Sequence, residues 1–357
     1  MHGQHLMLGI PEGTLSSADI ALLKRVQPSG IILFSRNIQS PEQTRKLTDD
    51  LRDLLGEDLI IGVDQEGGRV SRTKDIAPPS PGARQLVNSG ERKFIAEHAF
   101  LTGSMLGQLG INLSFAPVLD IDFGAALFSA LPERCYGSDS QSVIDNAGLF
   151  NRVMRKQHVL SCAKHFPSCS HAAVDPHHEL PNSDVTKDQL LASDLLPYTA
   201  LMPELDSIMT CHVHFTELDA QEPGLPASLS KNAITGLLRT QLGFDGHLIF
   251  TDDLDMGAVA QRYERGDDVR RAIEAGNDIA MICHKPETAD IALAALKTLP
   301  DTYLEDTERR LKKIRKRLKF PPAFDQKRWS SICDDTQKLF DKFKPEKATG
   351  FSQVANY

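Results

Sequence analysis

A segment near the middle of the chain concentrates side chains that can transfer protons. Residues 160–181 read LSCAKHFPSCSHAAVDPHHELP and contain His165, His171, Asp175, His177 and His178. One residue separates Asp175 from His177, so the carboxylate can orient the imidazole and stabilise its charge. The segment begins as an apolar run, typical of a buried strand, and continues as a long polar loop before a helix expected near Thr186. Because strand-to-helix connections usually take about 2–6 residues, a loop of this length indicates a functional segment.

A second candidate is the carboxylate pair Asp252 and Asp253, which directly follows an apolar run. A carboxylate at the end of a buried strand can attack an electrophilic carbon as a nucleophile. Opposite an Asp–His acid/base pair, it would complete the two halves of a double-displacement glycoside hydrolysis. From the residues alone, Asp252 could instead simply cap a following helix, and Asp253 could be the nucleophile in its place.

Elements that could position these groups recur along the sequence. Short apolar runs occupy residues 5–10, 30–34, 59–63, 112–117, 160–165, 207–212, 247–251 and 278–283, with helix signals between them. Those signals include Ser40-Pro41 with Gln43 as a capping box and helical runs over residues 91–110, 140–157 and 267–275. Eight strands alternating with helices predict an α/β fold with a parallel sheet, and their number favours a closed (β/α)₈ barrel of a single domain.

In such a barrel the active site lies at the carboxyl ends of the strands. The residues that end the apolar runs are mostly charged or polar: Asp64 to Arg69, Asp120 and Asp122, Lys164 and His165, His212 and His214, and Asp252 and Asp253. Charged groups at one mouth indicate a polar, multiply hydroxylated ligand. We expect His212 and His214 to line the rim or to pack behind it.

Composition restricts the possible partners and compartment. The formal net charge is −8, which argues against a nucleic acid or an anionic membrane as the main partner. The six cysteines show no CxxC spacing. The N-terminus lacks the features of a signal peptide, and no long apolar run is present. These features predict a cytoplasmic protein.

The region after the eighth apolar run is predicted to be helical. A basic run over residues 309–319 has Leu311, Ile314 and Leu318 at helical spacing, so a solvated helix face is preferred over a nucleic-acid patch. We expect residues 1–320 to form the barrel and residues 321–357 a polar, helical tail with a short helix over residues 335–343.

Five segments resemble one known family. Residues 60–72 (IIGVDQEGGRVSR), 112–120 (NLSFAPVLD), 133–139 (ERCYGSD), 163–167 with 175–177 (AKHFP, DPH) and 243–259 (GFDGHLIFTDDLDMGAV) resemble the glycoside hydrolase family 3 β-N-acetylglucosaminidases, the NagZ type of peptidoglycan recycling. The resemblance covers residues 1 to about 300. It implies a retaining exo-β-N-acetylglucosaminidase that acts on muropeptide-derived sugars as a monomer, without a metal or an organic cofactor.

The resemblance also assigns roles to individual residues. Asp252 matches the family nucleophile, and Asp175 with His177 matches its acid/base dyad. The sugar-binding positions of the family match Asp64, Arg72, Arg134, Lys164 and His165. These side chains suit a sugar, because carboxylates accept hydrogen bonds from hydroxyls and the cations donate to oxygens.

The chain departs from the family pattern in the loop. Where the family reads KHFPGHG, this chain has Ser168, Cys169 and Ser170, and Pro176 stands between Asp175 and His177. The loss of both glycines and the fixed φ of proline are expected to stiffen the loop. Two alternatives therefore stay open: a family 3 glycosidase for another β-hexoside, and a sugar-binding protein with impaired catalysis.

Two other kinds of site fit the sequence less well. Lys164 could form a Schiff base in an aldolase barrel, but that leaves Asp252 and the Asp–His pair without a role. A zinc site in the loop would need a recognised ligand spacing, and none is present.

Overall fold

Eight parallel strands form a closed barrel in the computed structural model, which describes residues 2–124, 131, 133–172, 174, 176 and 178–343. The strands are β1 (Leu6–Gly9), β2 (Gly30–Leu33), β3 (Ile60–Val63), β4 (Leu113–Ser114), β5 (Leu160–Phe166), β6 (Ser207–Thr210), β7 (Leu248–Asp253) and β8 (Ile279–Ile282). Each lies within or overlaps one of the eight apolar runs, and β5 continues to Phe166. The predicted (β/α)₈ barrel is confirmed.

Pairing of the first strand with the last closes the barrel. Leu6 is in register with Ala280 on β8, and Met7 is in register with Gly30 on β2. Alternation along each strand separates two apolar layers, so that Leu6 and Leu8 pack outward against the helices while Met7 points into the barrel. The interior is filled rather than hollow, with Phe115 and Phe250 in edge-to-face contact at 5.7 Å between ring centroids.

Helices surround the barrel. They are α1 (Ser17–Val26), α2 (Pro41–Leu55), α3 (Ala83–Asn88), α4 (Arg92–Gln108), α5 (Ser140–Arg155), α6 (Lys187–Ala192), α7 (Leu196–Leu201), α8 (Gly257–Ala260), α9 (Asp267–Ala275), α10 (Ala289–Leu296), α11 (Asp301–Arg315) and α12 (Gln326–Phe340), with a π-helix over Asn232–Gln241 between α7 and α8. Two short two-stranded ribbons lie in the loops at the carboxyl ends of the barrel strands. Residues Gln65–Gly67 pair with Val70–Ser71 in an antiparallel ribbon, and Asn182–Ser183 pair with His214–Phe215 in a parallel one.

The predicted boundaries of α4, α5 and α9 agree with the structure to within two residues. Ser40 caps α2 by accepting a hydrogen bond from the backbone N–H of Gln43. The reciprocal half of the expected capping box is absent there, since the Gln43 side chain accepts from the backbone of Gln39 instead. Helix α9 ends at Gly276, whose φ of 114° lies in the left-handed region that favours glycine.

The C-terminal helix α12, which packs on the barrel, is longer than the sequence predicts. Helix α12 begins nine residues before the short helix expected at 335, because Trp329, Ile332 and Leu339 bury an apolar stripe toward α4. The basic run lies on α11 and just after it with its lysines exposed, as expected. Arg310 is the exception, since it is buried against Asp278. The boundary at residue 320 stays a prediction. Among the described residues, no helix is both long and apolar enough to cross a membrane.

Candidate active site

One cavity at the carboxyl ends of the strands collects most of the residues singled out from the sequence. Its lining includes Asp64, Arg72, Arg134, Lys164, His165 and Asp252. These residues come from distant parts of the chain, and the barrel brings them together because parallel strands end at the same face. The expectation that strand ends converge on one site is therefore confirmed for β3, β5 and β7, while the roles assigned to the individual residues stay predictions.

Lys164 is held between two carboxylates. Its Nζ donates to Asp64 Oδ1 and lies next to Glu66 Oε1, both at 2.7 Å. Burial alone would lower the pKa of Lys164, but Asp64 and Glu66 raise it above its ordinary value. Arg72 approaches the other oxygen of Asp64, with Nη2 3.7 Å from Oδ2. Lys164 is thus a fixed cation, which argues against its use as a Schiff-base amine.

Glu66 was not identified as a site residue from the sequence. It is buried and accepts two hydrogen bonds from Arg134, from Nη2 at 2.7 Å and from Nε at 2.8 Å. Burial opposes its ionisation, but Arg134 and Lys164 outweigh burial and hold the pKa of Glu66 well below its usual range. The signal that could have found it is the two-residue spacing from Asp64, which puts both carboxylates on one side of an extended chain.

His165 is oriented by a second buried carboxylate, Asp120. The Nδ1 atom of His165 lies 2.7 Å from Asp120 Oδ2, which also accepts from the backbone N–H of His165 at 3.1 Å. A carboxylate only accepts, so Nδ1 carries the hydrogen. The Nε2 atom of His165 then accepts from Arg134 Nη2 at 3.4 Å. Asp120 thereby fixes both the tautomer and the direction of the ring.

Asp252 and Asp253 end β7 in different surroundings. Asp252 is half-buried in the cavity, and its Oδ1 accepts from the backbone N–H of Asp253 at 2.9 Å. Asp253 is buried, and its Oδ1 accepts from the backbone of Asp255 and of Cys283. Burial, together with the charges of Asp255 and Asp252, raises the pKa of Asp253 to about 8. A nucleophile must be charged and accessible, so these surroundings favour Asp252 over Asp253.

Asp175 and His177, the predicted acid/base dyad, lie outside the described residues. Their described neighbours are tied to the segment that follows β7. The backbone carbonyl of Pro176 accepts from the N–H of Ala258 at 3.2 Å, and that of His178 accepts from Gln261 Nε2 at 2.9 Å. The loop on both sides of His177 therefore contacts the segment that begins just after Asp252.

The remaining histidines at the strand ends have packing roles. His212 is buried, with Nδ1 2.7 Å from Ser228 Oγ and Nε2 2.9 Å from the carbonyl of Asp253. The Nδ1 atom of His214 lies 2.9 Å from the carbonyl of Leu225. Of the two roles expected for this pair, the structure supports packing behind the rim.

Among the described residues, Asp120, His165 and Cys169 offer three potential metal-ligand atoms within 4.8 Å of one another. They are poorly suited to a cation. The oxygens of Asp120 already accept from His165 and from the backbone of Cys169. A hydrogen bond with Cys211 and burial raise the pKa of the Cys169 thiol well above its ordinary value, which disfavours the thiolate that a metal needs.

The cavity as a whole combines an accessible carboxylate with fixed hydrogen-bond donors and acceptors. Arg72, Arg134 and Lys164 donate, Asp64 accepts, and apolar walls such as Phe34, Met209 and Met281 complete the lining. A small number of fixed polar groups on an apolar surface is the arrangement that orients a small ligand carrying several hydroxyls.

The whole barrel has counterparts in known proteins. Residues 4–318 match the family described as "Glycosyl hydrolase family 3 N terminal domain". A beta-hexosaminidase of Pseudomonas aeruginosa is 34% identical over 298 residues, which cover 83% of this chain and 87% of that protein. The crystal structure of NagZ from Neisseria gonorrhoeae matches with a TM-score of 0.81 at 27% identity, over 94% of this chain and 97% of that one.

A second solved structure extends the comparison. A glycoside hydrolase family 3 β-N-acetylglucosaminidase from Paenibacillus matches with a TM-score of 0.84 at 30% identity, over 95% of this chain and 68% of that one. The family match spans all eight barrel strands, and the sequence relative is matched over most of its own length. The chain therefore belongs to glycosyl hydrolase family 3.

Proposed function

We propose that the protein is a retaining exo-β-N-acetylglucosaminidase that releases terminal N-acetylglucosamine by double displacement. The observation that carries the proposal is the position of Asp252, half-buried at the end of β7 in a cavity it shares with the five predicted sugar-binding residues. Beta-hexosaminidase is the name of the Pseudomonas relative, and β-N-acetylglucosaminidase that of the Paenibacillus structure. Both support the proposed activity.

In the first half of the reaction, Asp252 attacks the anomeric carbon from one face of the sugar. The bond from that carbon to the bridging oxygen breaks, and His177 gives its proton to the departing oxygen. The products of this step are a glycosyl ester on Asp252 and the free aglycone. Asp175 stabilises the imidazolium before transfer and holds the ring in one tautomer.

In the second half, water attacks the anomeric carbon and the ester bond to Asp252 breaks. His177, now neutral, takes one proton from the water, so that the enzyme returns to its starting protonation state. Two inversions at one carbon give net retention of the β configuration. Asp253 is less suited to form the ester, because its raised pKa keeps it neutral up to about pH 8.

The polar residues of the cavity hold the sugar during both steps. Asp64 accepts from sugar hydroxyls, and Lys164, fixed beside it, donates to a neighbouring oxygen. Arg72, near the other oxygen of Asp64, and Arg134, beside Nε2 of His165, add further donors. The network forms before the sugar arrives, so little reorganisation is needed on binding.

The substrate in the cell is proposed to be a muropeptide fragment of peptidoglycan, cleaved in the cytoplasm by a monomer that needs no metal or organic cofactor. The resemblance to the peptidoglycan-recycling enzymes supports the substrate. The described cysteines are free thiols, five of them buried, which fits a reducing compartment.

The test compares chromogenic N-acetyl-β-glucosaminide with the corresponding β-glucoside. Turnover of the first alone supports the proposal, turnover of the glucoside points to another β-hexoside, and sugar binding without turnover of either supports a binding protein.

Asp252→Ala is expected to abolish turnover. A 5-fluoro glycosyl fluoride should label the parent on the peptide that contains Asp252, and a label elsewhere would refute that assignment.

His177 is tested by varying the aglycone. The aglycone of a 2,4-dinitrophenyl glycoside can leave without being protonated, whereas the sugar that leaves from N,N′-diacetylchitobiose needs a proton. We expect His177→Ala to lower kcat/KM for the disaccharide by about 10²-fold or more and to change it little for the dinitrophenyl glycoside. Equal losses for both substrates would rule out His177 as the acid.

A further inference from the structure

A buried carboxylate behind the loop has no part in the mechanism described so far. Asp194 lies between α6 and α7 and is buried. Its Oδ1 accepts from Ser168 Oγ at 2.6 Å, and its Oδ2 accepts from Ser193 Oγ at 2.6 Å and from His171 Nε2 at 3.2 Å. We name Asp194, Ser168, His171 and Ser193 the clasp. Two of its four members belong to the loop that carries Asp175 and His177.

The clasp holds the start of that loop firmly. Ser168 and His171 follow His165 by three and six positions, and both donate to one carboxylate that ionises readily. Burial opposes that ionisation, but His171 and the serines outweigh it and lower the pKa of Asp194. Hydrogen bonds to a charged acceptor are stronger than neutral ones, so the clasp can fix backbone position and not only side-chain direction.

Neighbouring contacts extend the same anchoring to the segment after β4 that contains Asp120. Ser170 Oγ accepts from the backbone N–H of Ile121 at 2.9 Å, and the backbone N–H of Cys169 donates to Asp120 at 2.6 Å. The ring of His171 packs on Phe123 at 5.2 Å between centroids. The loop therefore begins from a fixed point rather than a hinge.

These contacts account for the departure from the family loop motif. Where the family has glycines, Ser168 and Ser170 use their hydroxyls to bond Asp194 and the backbone of Ile121. The carbonyl of Pro176, inside the dyad, and that of His178, just after it, accept hydrogen bonds from the segment after β7. Described residues before the dyad and after it are therefore both held by hydrogen bonds to other parts of the chain.

We propose that Asp194 is a positioning residue for the acid/base dyad: by clasping Ser168 and His171, it sets where the loop presents His177 to the bridging oxygen. The inference rests on the proposed function, since it assumes that His177 is the acid. Asp194 is not among the residues that line the cavity. It acts through the loop, and its effect is limited to the step that needs a proton.

The experiment compares Asp194→Asn with the parent enzyme on the dinitrophenyl glycoside and on N,N′-diacetylchitobiose. The amide keeps the size of the side chain but loses the charge and can accept with one oxygen only. We expect kcat/KM to fall on the order of 10- to 100-fold for the disaccharide, since misplacement of a reacting group by about 1 Å has effects of that size. For the dinitrophenyl glycoside the change should stay below about threefold, because its aglycone leaves without a proton.

The matched control is Asp206→Asn at the opposite end of the barrel. Asp206 is also buried and accepts from a serine hydroxyl, that of Ser161 at 3.3 Å, as well as from Arg155. This variant should lose stability without any dependence on the aglycone. If Asp194→Asn does not fold, Ser168→Ala and His171→Ala carry the test, and each should show a smaller loss in the same direction.

The outcomes separate the two proposals. If His177→Ala itself shows equal losses on both substrates, the assignment of the acid fails and the clasp has nothing to position. If His177→Ala is selective but Asp194→Asn lowers kcat/KM equally on both substrates, or not at all, the clasp is refuted and Asp194 is structural only.

Discussion

Replacing Glu66 with glutamine removes one negative charge from between two buried cations while it keeps the shape of the side chain. Glu66 accepts two hydrogen bonds from Arg134 and lies 2.7 Å from Lys164 Nζ. The glutamine oxygen can satisfy one of these donors, but its NH₂ group would then face the other donor. Breaking a buried ion pair by removing one partner destabilises a protein by about 3–5 kcal/mol.

That loss can be converted to a melting temperature. With an entropy of unfolding of about 2.1 cal/mol/K per residue, the whole chain has roughly 0.75 kcal/mol/K, so Tm should fall by about 4–7 °C. Activity should fall as well, because Arg134 and Lys164 lose the partner that fixes them. One charge-assisted hydrogen bond contributes about 1.5–3 kcal/mol, which corresponds to roughly 10- to 150-fold in kcat/KM.

The assay measures thermal unfolding and kcat/KM on a chromogenic N-acetyl-β-glucosaminide, with Asp278→Asn as the matched control. Asp278 is a buried carboxylate between Arg239 and Arg310, each at 2.8 Å, at the start of β8 and away from the cavity. Both variants should lose similar stability, but only Glu66→Gln should lose activity per folded molecule. Equal activity losses in the two variants, or an unchanged Tm for Glu66→Gln, would refute the reasoning.

Two further predictions concern buried carboxyls around the same cavity. Because the pKa of Asp253 rises from 3.8 to about 8 on folding, the folded state holds a proton that the unfolded chain has released, and the free energy of unfolding falls as pH rises through this window. Urea unfolding at pH 5 and pH 8 should therefore show Asp253→Asn gaining stability relative to the parent at the higher pH, and a gain at the lower pH would contradict the linkage. Asp120→Asn puts an amide NH₂ against the donors of His165 or of Cys169, so we expect kcat/KM to fall by roughly 10- to 150-fold; an unchanged value would show that the orientation of His165 does not matter.

The barrel could be predicted from the sequence because its signals are local. Each strand is a short apolar run, and helix ends carry their own caps, as at Ser40 and Gly276. The rule that barrel strands point their carboxyl ends at the active site then gave Asp64, Lys164 and Asp252 a common location. Their common location could be predicted without knowledge of any contact between them.

The residues that were missed depend on contacts between distant parts of the chain. Asp194 follows a serine at the end of a helix, where an aspartate usually meets solvent, and only the packed loop brings Ser168 and His171 to it. Asp120 was predicted only as a charged residue that follows a strand, and its hydrogen bond with His165 was not predicted. The longer α12 was underestimated because its apolar stripe is sparse and is completed by burial against α4.

The balance of charge in the cavity bears on the kind of ligand that it can hold. Lys164 is paired with Asp64 and Glu66, Arg134 with Glu66, and Arg72 lies near Asp64. Each of these cations in the described lining thus has an anion within 4 Å, and Asp252 adds a further carboxylate. The same balance suits the uncharged hydroxyls of the sugar, which gain hydrogen bonds from groups already fixed by their ion pairs.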